Sequence, residues 1–195
     1  MARYGKGQKE ATRRRIVESA GRRFKRDGID ASGIATLMSD AGLTNGAFYA
    51  HFASKDDLIA TVVSDQLRAQ AERRRGLPPG DAGLEQFVRE YLSVEHCESP
   101  QDGCPCAALL DEIGRAQPAA KHAFTDGLLA YIDDIAARLA PDDPQSERAH
   151  VLSVFAMMVG TVQLARALAD QRLAREVLEQ GIGNALAMFG VAHQN

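Results

Sequence analysis

Apolar residues recur at three- and four-residue intervals along nearly the whole chain, and no stretch alternates with period two. A period near 3.6 places such residues on one face of a helix, whereas a half-buried strand needs a period of two. The fold class expected is therefore all-α, with about nine helices. The first stripe is Ile16, Val17, Ala20 and Phe24 on an otherwise basic segment from Lys9 to Arg26, closed by Asp27-Gly28. Glycine there suits a left-handed C-terminal cap. A short helix from Gly33 to Ala41 is expected to be capped by Ser32 and stopped by Gly42, and a second, Gly46 to His51, to be capped by Thr44 or Asn45. Ser54 caps a long helix with Asp56 and Asp57 in its first turn, where the helix dipole favours carboxylates.

Arg73 to Gly80, with Pro78-Pro79, reads as the clearest linker. Beyond it, Leu84, Phe87, Val88, Tyr91 and Leu92 form a helical face, and Ser99 to Gly103 reads as a loop. Pro105 sits where the first turn of a helix tolerates proline. Helices are expected from Pro105 to Ala116, Pro118 to Leu139, Ser146 to Ala169 and onward to about Phe189.

The net charge of −3 conceals an asymmetry, since residues 1–60 carry +4 and the remainder −7. A basic N-terminal arm on an acidic protein points to a polyanionic partner at that end or to a solvated tail. Met1 to Lys9 is basic, with no apolar run behind it, so no secretory signal is expected. Val151 to Ala165 is too short to span a bilayer. Three clustered cysteines, Cys97, Cys104 and Cys106, do not make a disulfide framework, and a cytoplasmic location fits them.

Two short helices around a glycine turn make a helix-turn-helix pattern, whose first helix must stop abruptly so that the second projects into the major groove. Ile34, Leu37, Ala41, Leu43 and Phe48 supply the small and apolar packing between them. From Gly42 to Leu58 the chain carries Thr44-Asn45-Gly46, then Phe48-Tyr49-Ala50-His51-Phe52, then Ser54-Lys55. This gap-free run, with the preceding Ile16 to Phe24 helix, resembles the signature of the tetracycline-repressor (TetR) family. The resemblance implies a three-helix DNA-binding domain, placed at 1–53, and a six-helix effector-binding and dimerisation domain at 54–195. It also implies that Thr44, Asn45, Gly46, Tyr49 and His51 lie at the DNA surface. Thr44 and Asn45, at the helix start, suit base edges, while Tyr49 and Lys55 suit phosphates. Phe48 and Phe52 read as core. Ala35 departs from the polar or basic residue frequent in the family, so Ser32 or Thr36 is expected to supply that contact.

Within the family, Gly103-Cys104-Pro105-Cys106 resembles a subgroup in which Gly-Cys opens the sixth helix, and some such relatives respond to electrophiles or oxidants. A thiol at a helix N-terminus has its thiolate stabilised by unpaired N–H groups, which makes Cys104 and Cys106 redox candidates. The alternative is that both simply pack in the core. His96, Cys97, Cys104 and Cys106 do not have a standard zinc spacing, so neither metal nor other cofactor is expected. Phe87, Tyr91, Leu110, Ile113, Phe124, Leu128, Tyr131, Phe155, Met158 and Thr161 are candidates to line an apolar pocket for a small hydrophobic effector.

The function expected is a regulator, a repressor released from a double-stranded DNA operator by that effector, with oxidant or electrophile sensing through cysteine as the alternative. No nucleophile–base–orienter set argues for an enzyme. Val151, Leu152, Val154, Phe155, Met157, Met158, Val159 and Val162 cover too much of one helix for a single monomer core. A homodimer through the last two helices, with Leu178, Ile182 and Phe189, is expected to cover the remainder.

Overall fold

Helix α1 (Ala2–Asp27) carries the Ile16, Val17, Ala20, Phe24 stripe inward, with each of the four buried. Burying a side chain of the size of Ile16 or Phe24 contributes about 1.5–3 kcal/mol. Gly28 ends the helix at φ +89°, and its N–H donates to the Phe24 carbonyl at 2.8 Å. Then come α2 (Ile34–Asp40), a 3₁₀ helix (Asn45–Ala50), α3 (Lys55–Arg75), α4 (Gly80–Tyr91) and α5 (Val94–Glu98). The last four are α6 (Pro105–Arg115), α7 (Pro118–Leu139), α8 (Pro144–Ala167) and α9 (Gln171–Met188). The computed structural model describes residues 2–191, with side chains from Gly7 onward. Met1, residues 192–195 and the side chains of the first six residues lie outside it, and with them the outer ends of the two expected domains and the start of the basic arm. Among the described residues there are nine α-helices and no strand, the all-α architecture expected.

Ser54 caps α3 by accepting from the Asp57 N–H at 3.1 Å, and the Asp57 carboxylate accepts in return from the Ala53 N–H at 3.0 Å. This reciprocal arrangement satisfies two otherwise orphaned donors. Helix α3 packs on both α1 and α7 and so joins the two halves of the chain. At Gly127 a Cβ would lie 2.8 Å from Leu67 Cδ1, so the α3–α7 approach depends on the missing side chain.

Four expectations need correction. Ser32 does not cap α2: Gly33 holds that position, and the buried Ser32 hydroxyl donates to the Gly28 carbonyl at 2.6 Å. The helix after the turn is a 3₁₀ helix without a side-chain cap, tighter than the α-helix expected. Of the Arg73–Gly80 linker, Arg73 to Arg75 complete α3 and only residues 76–79 turn the chain, held by Arg138, whose guanidinium donates to the carbonyls of Arg74 at 2.7 Å and Pro78 at 2.5 Å. Finally, the apolar face of α8 fits within one chain. Val151, Val154, Phe155, Met158, Val159 and Val162 are all buried and Leu152 and Met157 half-buried, because α5, α6, α7 and α9 surround the helix. Leu178 and Phe189 are buried as well. The outward face of α8 is instead the narrow row Ser153, Ala156, Gly160, Gln163 and Leu164.

Candidate DNA interface and effector site

Gly42, at φ +66°, turns the chain out of α2, and its N–H and that of Leu43 donate to the carbonyls of Ser39 and Met38, both at 2.9 Å. The following 3₁₀ helix presents Thr44, Asn45 and Gly46 to solvent, with Tyr49 at 70% exposure. The Tyr49 ring is braced edge-on by Phe48, with centroids 5.2 Å apart, and Phe48 in turn stacks on Phe52 at 5.6 Å. Both phenylalanines are buried core. The Arg13 guanidinium lies 4.5 Å above the Phe52 ring and donates to the Thr61 hydroxyl at 3.2 Å, which brings α1 against α3. Sequence reasoning missed Arg13, because nothing in a run of arginines distinguishes the one that stacks.

The other candidates divide. Thr36 and His51 are half-buried. His51 Nδ1 is buried without a hydrogen-bond partner among the described residues. Burial, then the Lys9 and Arg13 charges, lower its pKa and so favour the neutral ring. Lys55 does not extend freely towards DNA: its ammonium donates to the Ile29 carbonyl at 2.6 Å, closing the turn between α1 and α2. Ser32, fully buried and spent on Gly28, presents no group to the surface.

In the C-terminal half the ten pocket candidates do not form one pocket. Leu110, Phe124, Leu128 and Phe155 line an apolar cavity of about 180 Å³ together with Cys106, Leu152 and Val159. Phe87, Tyr91, Tyr131 and Phe155 form a buried aromatic cluster, with Phe155 5.3 Å from both tyrosine rings. Ile113 and Met158 are core, and the Thr161 hydroxyl is spent on the Met157 carbonyl at 2.9 Å. A larger cleft of about 690 Å³ opens elsewhere, between α3, α4, α5 and the loop after α5. It is polar, edged by Gln70, Arg73, Arg74, Arg89, Glu90, His96 and Asp102, with Gly103 and Cys104 in its wall. An apolar-face reading of the sequence misses such a site because charged residues from several elements build it.

Cys104 is the N-cap of α6 and Pro105 its first residue. The Cys104 N–H donates to His96 Nε2 at 3.0 Å, and the other ring nitrogen of His96 is 2.5 Å from the Tyr91 carbonyl. An accepting Nε2 requires a neutral imidazole, and burial accordingly lowers the His96 pKa. Burial opposes ionisation of Cys104. The donors grouped around a thiolate there, on Cys106, Tyr91 and Ala107, outweigh it and bring its pKa down to about 6. The Tyr91 hydroxyl is buried and has no hydrogen-bond partner among the described residues, and burial, then the neighbouring Cys104, push its own pKa well up. Cys106 moves the other way, pushed well up by its hydrogen bond to Cys104 and by burial. The two residues border different spaces, Cys104 the polar cleft and Cys106 the apolar cavity, and both are buried. Among the described residues no cluster of three or more His, Cys, Asp or Glu side chains is placed to hold a metal.

Residues 16–62 match the model of the bacterial regulatory proteins of the tetR family. Over 183 residues the chain is 32% identical to the probable HTH-type transcriptional regulator ArpR of Pseudomonas putida, covering 83% of each protein. The chain belongs to the TetR family of transcriptional regulators. It is thus a DNA-binding helix-turn-helix protein, from a family of regulators rather than enzymes. Two solved structures share the fold. The reduced form of E. coli NemR has a TM-score of 0.75 at 16% identity, covering 90% of this chain and 95% of that one. Bacillus subtilis FadR in complex with stearoyl-CoA has a TM-score of 0.62 at 15% identity, covering 86% and 96%.

In this TetR-family regulator, the segment around Cys104 touches the DNA-binding helices directly. Lys25 of α1 donates to the Gly103 carbonyl at 2.9 Å, and Arg22 pairs with Asp102 at 2.5 Å. Glu112 of α6 accepts from the N–H groups of Ile29 at 2.8 Å and Asp30 at 3.3 Å. From the opposite side, Arg166 of α8 donates to the carbonyls of Cys97, Ala107 and His96 at 2.9, 2.7 and 2.8 Å. None of these long-range partners has a signature in local sequence.

Proposed function

We propose that the protein is a homodimeric, cytoplasmic repressor that a small-molecule effector releases from its operator. The observation that carries this reading is the set of contacts from residues 102–112 to α1 and to the α1–α2 turn, immediately beside two cavities. A ligand that shifts α6 or its preceding loop shifts the DNA-binding helices with it. Two recognition helices must meet half-sites about 34 Å apart, so a modest rotation is enough to lose the operator. The apolar cavity beside Leu110, Phe124 and Leu128 suits a hydrophobic effector or part of one, and the stearoyl-CoA held by FadR is a precedent for an apolar ligand on this fold. Thr44 and Asn45 are assigned to base edges, with Gly46 allowing close backbone approach and Tyr49 contacting phosphate. Thr36, and His51 as a neutral hydrogen-bonding group, flank them. The dimer is assigned to the outward faces of α8 and α9, where Leu164 and Met188 are exposed.

The test is a gel shift with the promoter duplex beside the protein's own gene. Retardation that is lost on Asn45→Ala/Tyr49→Ala substitution, and reversed by a hydrophobic compound in wild type but not in Leu128→Trp, supports the proposal. Absence of specific retardation overturns it.

A second reading is favoured by one observation, Cys104 bordering the polar cleft at the N-cap of α6 with its pKa lowered. In this reading an oxidant or electrophile that reacts at Cys104 releases the DNA. Operator release that survives Cys104→Ser sinks it.

A further inference from the structure

The last full turn of α1 holds Lys25 at 7% exposure, with its ammonium donating to the Gly103 carbonyl at 2.9 Å. Gln70 of α3 approaches the same carbonyl at 3.4 Å. Among the described residues no carboxylate lies within ion-pair distance of Lys25, and Asp102, the acid of that loop, pairs with Arg22. A buried ammonium held only by a carbonyl oxygen is costly unless negative charge stands near it. Burial lowers the Lys25 pKa to about 8. Of the charged groups around it, Cys104 and Asp102 favour the ammonium, Cys104 more strongly, while Arg73 and Arg22 oppose it. Cys104, the residue next to the carbonyl that holds Lys25, is also the one whose charge acts on the buried, unpartnered Tyr91 hydroxyl. A thiolate at position 104 therefore has a donor from α4 and a cation from α1, and only the second belongs to the DNA-binding half.

We propose that Lys25 is the residue through which the DNA-binding domain reads the charge on the Cys104 sulfur, so that modifiers leaving the sulfur neutral free α1 while modifiers leaving an anion there keep it docked. The inference rests on the reading of Cys104 as the reactive thiol and adds to it a discrimination between classes of modifier. A neutral thioether removes the counter-charge. Lys25 then gives up its proton or turns to solvent, and the charge-assisted hydrogen bond to Gly103 weakens or breaks. An adduct of equal size bearing a carboxylate supplies the missing charge again.

Iodoacetamide and iodoacetate make that pair of adducts. In each case the Cys104 thiolate displaces iodide, a carbon–sulfur bond forming as the carbon–iodine bond breaks, and no oxidant enters. The experiment uses full-length Cys97→Ser/Cys106→Ser protein, with labelling at Cys104 verified by mass. The readouts are amide hydrogen exchange over residues 22–30 and affinity for the promoter duplex. The carbamidomethyl adduct is expected to speed exchange and weaken binding about tenfold, the ratio that one pKa unit of charge interaction represents. The carboxymethyl adduct is expected to stay close to the unlabelled protein. Lys25→Met abolishes the difference between adducts, and Lys25→Arg, which keeps the charge, retains it. Equal effects of both adducts in the Lys25 protein, or discrimination that survives in Lys25→Met, overturn the proposal. If Cys104 takes up neither reagent, the reading of a reactive thiol fails by itself. Cys104→Ser against Cys104→Asp, under the same two readouts, then decides the role of Lys25 in the same way.

Discussion

Glu112 accepts a hydrogen bond from the backbone N–H of Ile29, 2.8 Å away and 83 positions earlier in the chain. The carboxylate thereby holds the α1–α2 turn from outside the DNA-binding domain. Hydrogen bonds to charged groups contribute about 1.5–3 kcal/mol, so Glu112→Ala is expected to lower stability by that order in denaturant unfolding. Glu112→Ala is also expected to accelerate hydrogen exchange at Ile29 and Asp30 more than elsewhere. Uniform acceleration would show that Glu112 stabilises the whole chain rather than this turn.

The neutral His96 gives a pH dependence of defined sign. Its folded pKa lies below the unfolded value near 6.5. Below pH 6.5 the unfolded chain therefore binds a proton that the folded one refuses. Stability from this group is complete above about 6.5 and is lost as pH falls below it. Cys104, whose folded pKa is lowered to about 6 from 9.0, acts with the same sign at higher pH. The comparison is therefore made in a Cys104→Ser background. Melting temperature is expected to fall from pH 7 to pH 5.5, and the fall to be smaller in His96→Gln, whose amide oxygen can still accept from residue 104. An identical fall in both proteins would assign it to other groups.

Asn45, Tyr49 and Lys55 are expected to separate in a binding assay. Asn45→Ala relaxes base preference, costing about 1–3 kcal/mol at a preferred site. Tyr49→Phe weakens binding to all sequences alike. Lys55→Ala lowers the melting temperature through loss of its bond to the Ile29 carbonyl, with little change in affinity of the folded protein. A steep loss of affinity at unchanged melting temperature would return Lys55 to the phosphate-contacting role.

Arg166 satisfies three carbonyls at once. Replacement by Met removes three charge-assisted hydrogen bonds to part-buried carbonyls, each contributing about 1.5–3 kcal/mol when well shielded, so a loss on the order of 3 kcal/mol is expected in urea unfolding. A loss below 1 kcal/mol would mean that water replaces the guanidinium.

Leu164 stands 54% exposed on the outward row of α8, beside Gly160 and Ala156. A charge there disfavours any helix pairing across this face, so Leu164→Arg is expected to sediment as a monomer at micromolar concentration where wild type is a dimer. A dimer that survives the substitution places the interface elsewhere.

The helices were legible because their signals are local. The stripes on α1 and α7, the Ser54 cap and the glycine stops at positions 28 and 42 each need only a few neighbouring residues. The extent of α8 burial was not, because a helix surrounded by four others in one chain and a helix shared between two chains have the same periodicity. The same local pattern made legible that Phe48 and Phe52 are core while Asn45 and Tyr49 face outward. The spent side chains, Ser32 and Lys55, escaped because their partners are backbone carbonyls whose positions only the fold sets. The polar cleft and its link through Lys25 depend on residues up to 78 positions apart, and nothing along the chain brings them together.

The brevity of the recognition element sets what the protein can know about a genome. Six residues of 3₁₀ helix rise about 12 Å, which matches about three or four base-pair steps of 3.4 Å. A two-fold pair of such elements spells a word of roughly six to eight letters, and among the roughly 10⁶–10⁹ competing sites of a genome so short a word recurs many times by chance. Most of the information that singles out one promoter must then reside in the interval between the two words and in the stiffness of the DNA joining them. A regulator built this way locates its site by measuring a length. In the proposed dimer, disturbing that length would weaken operator binding more than altering a single letter.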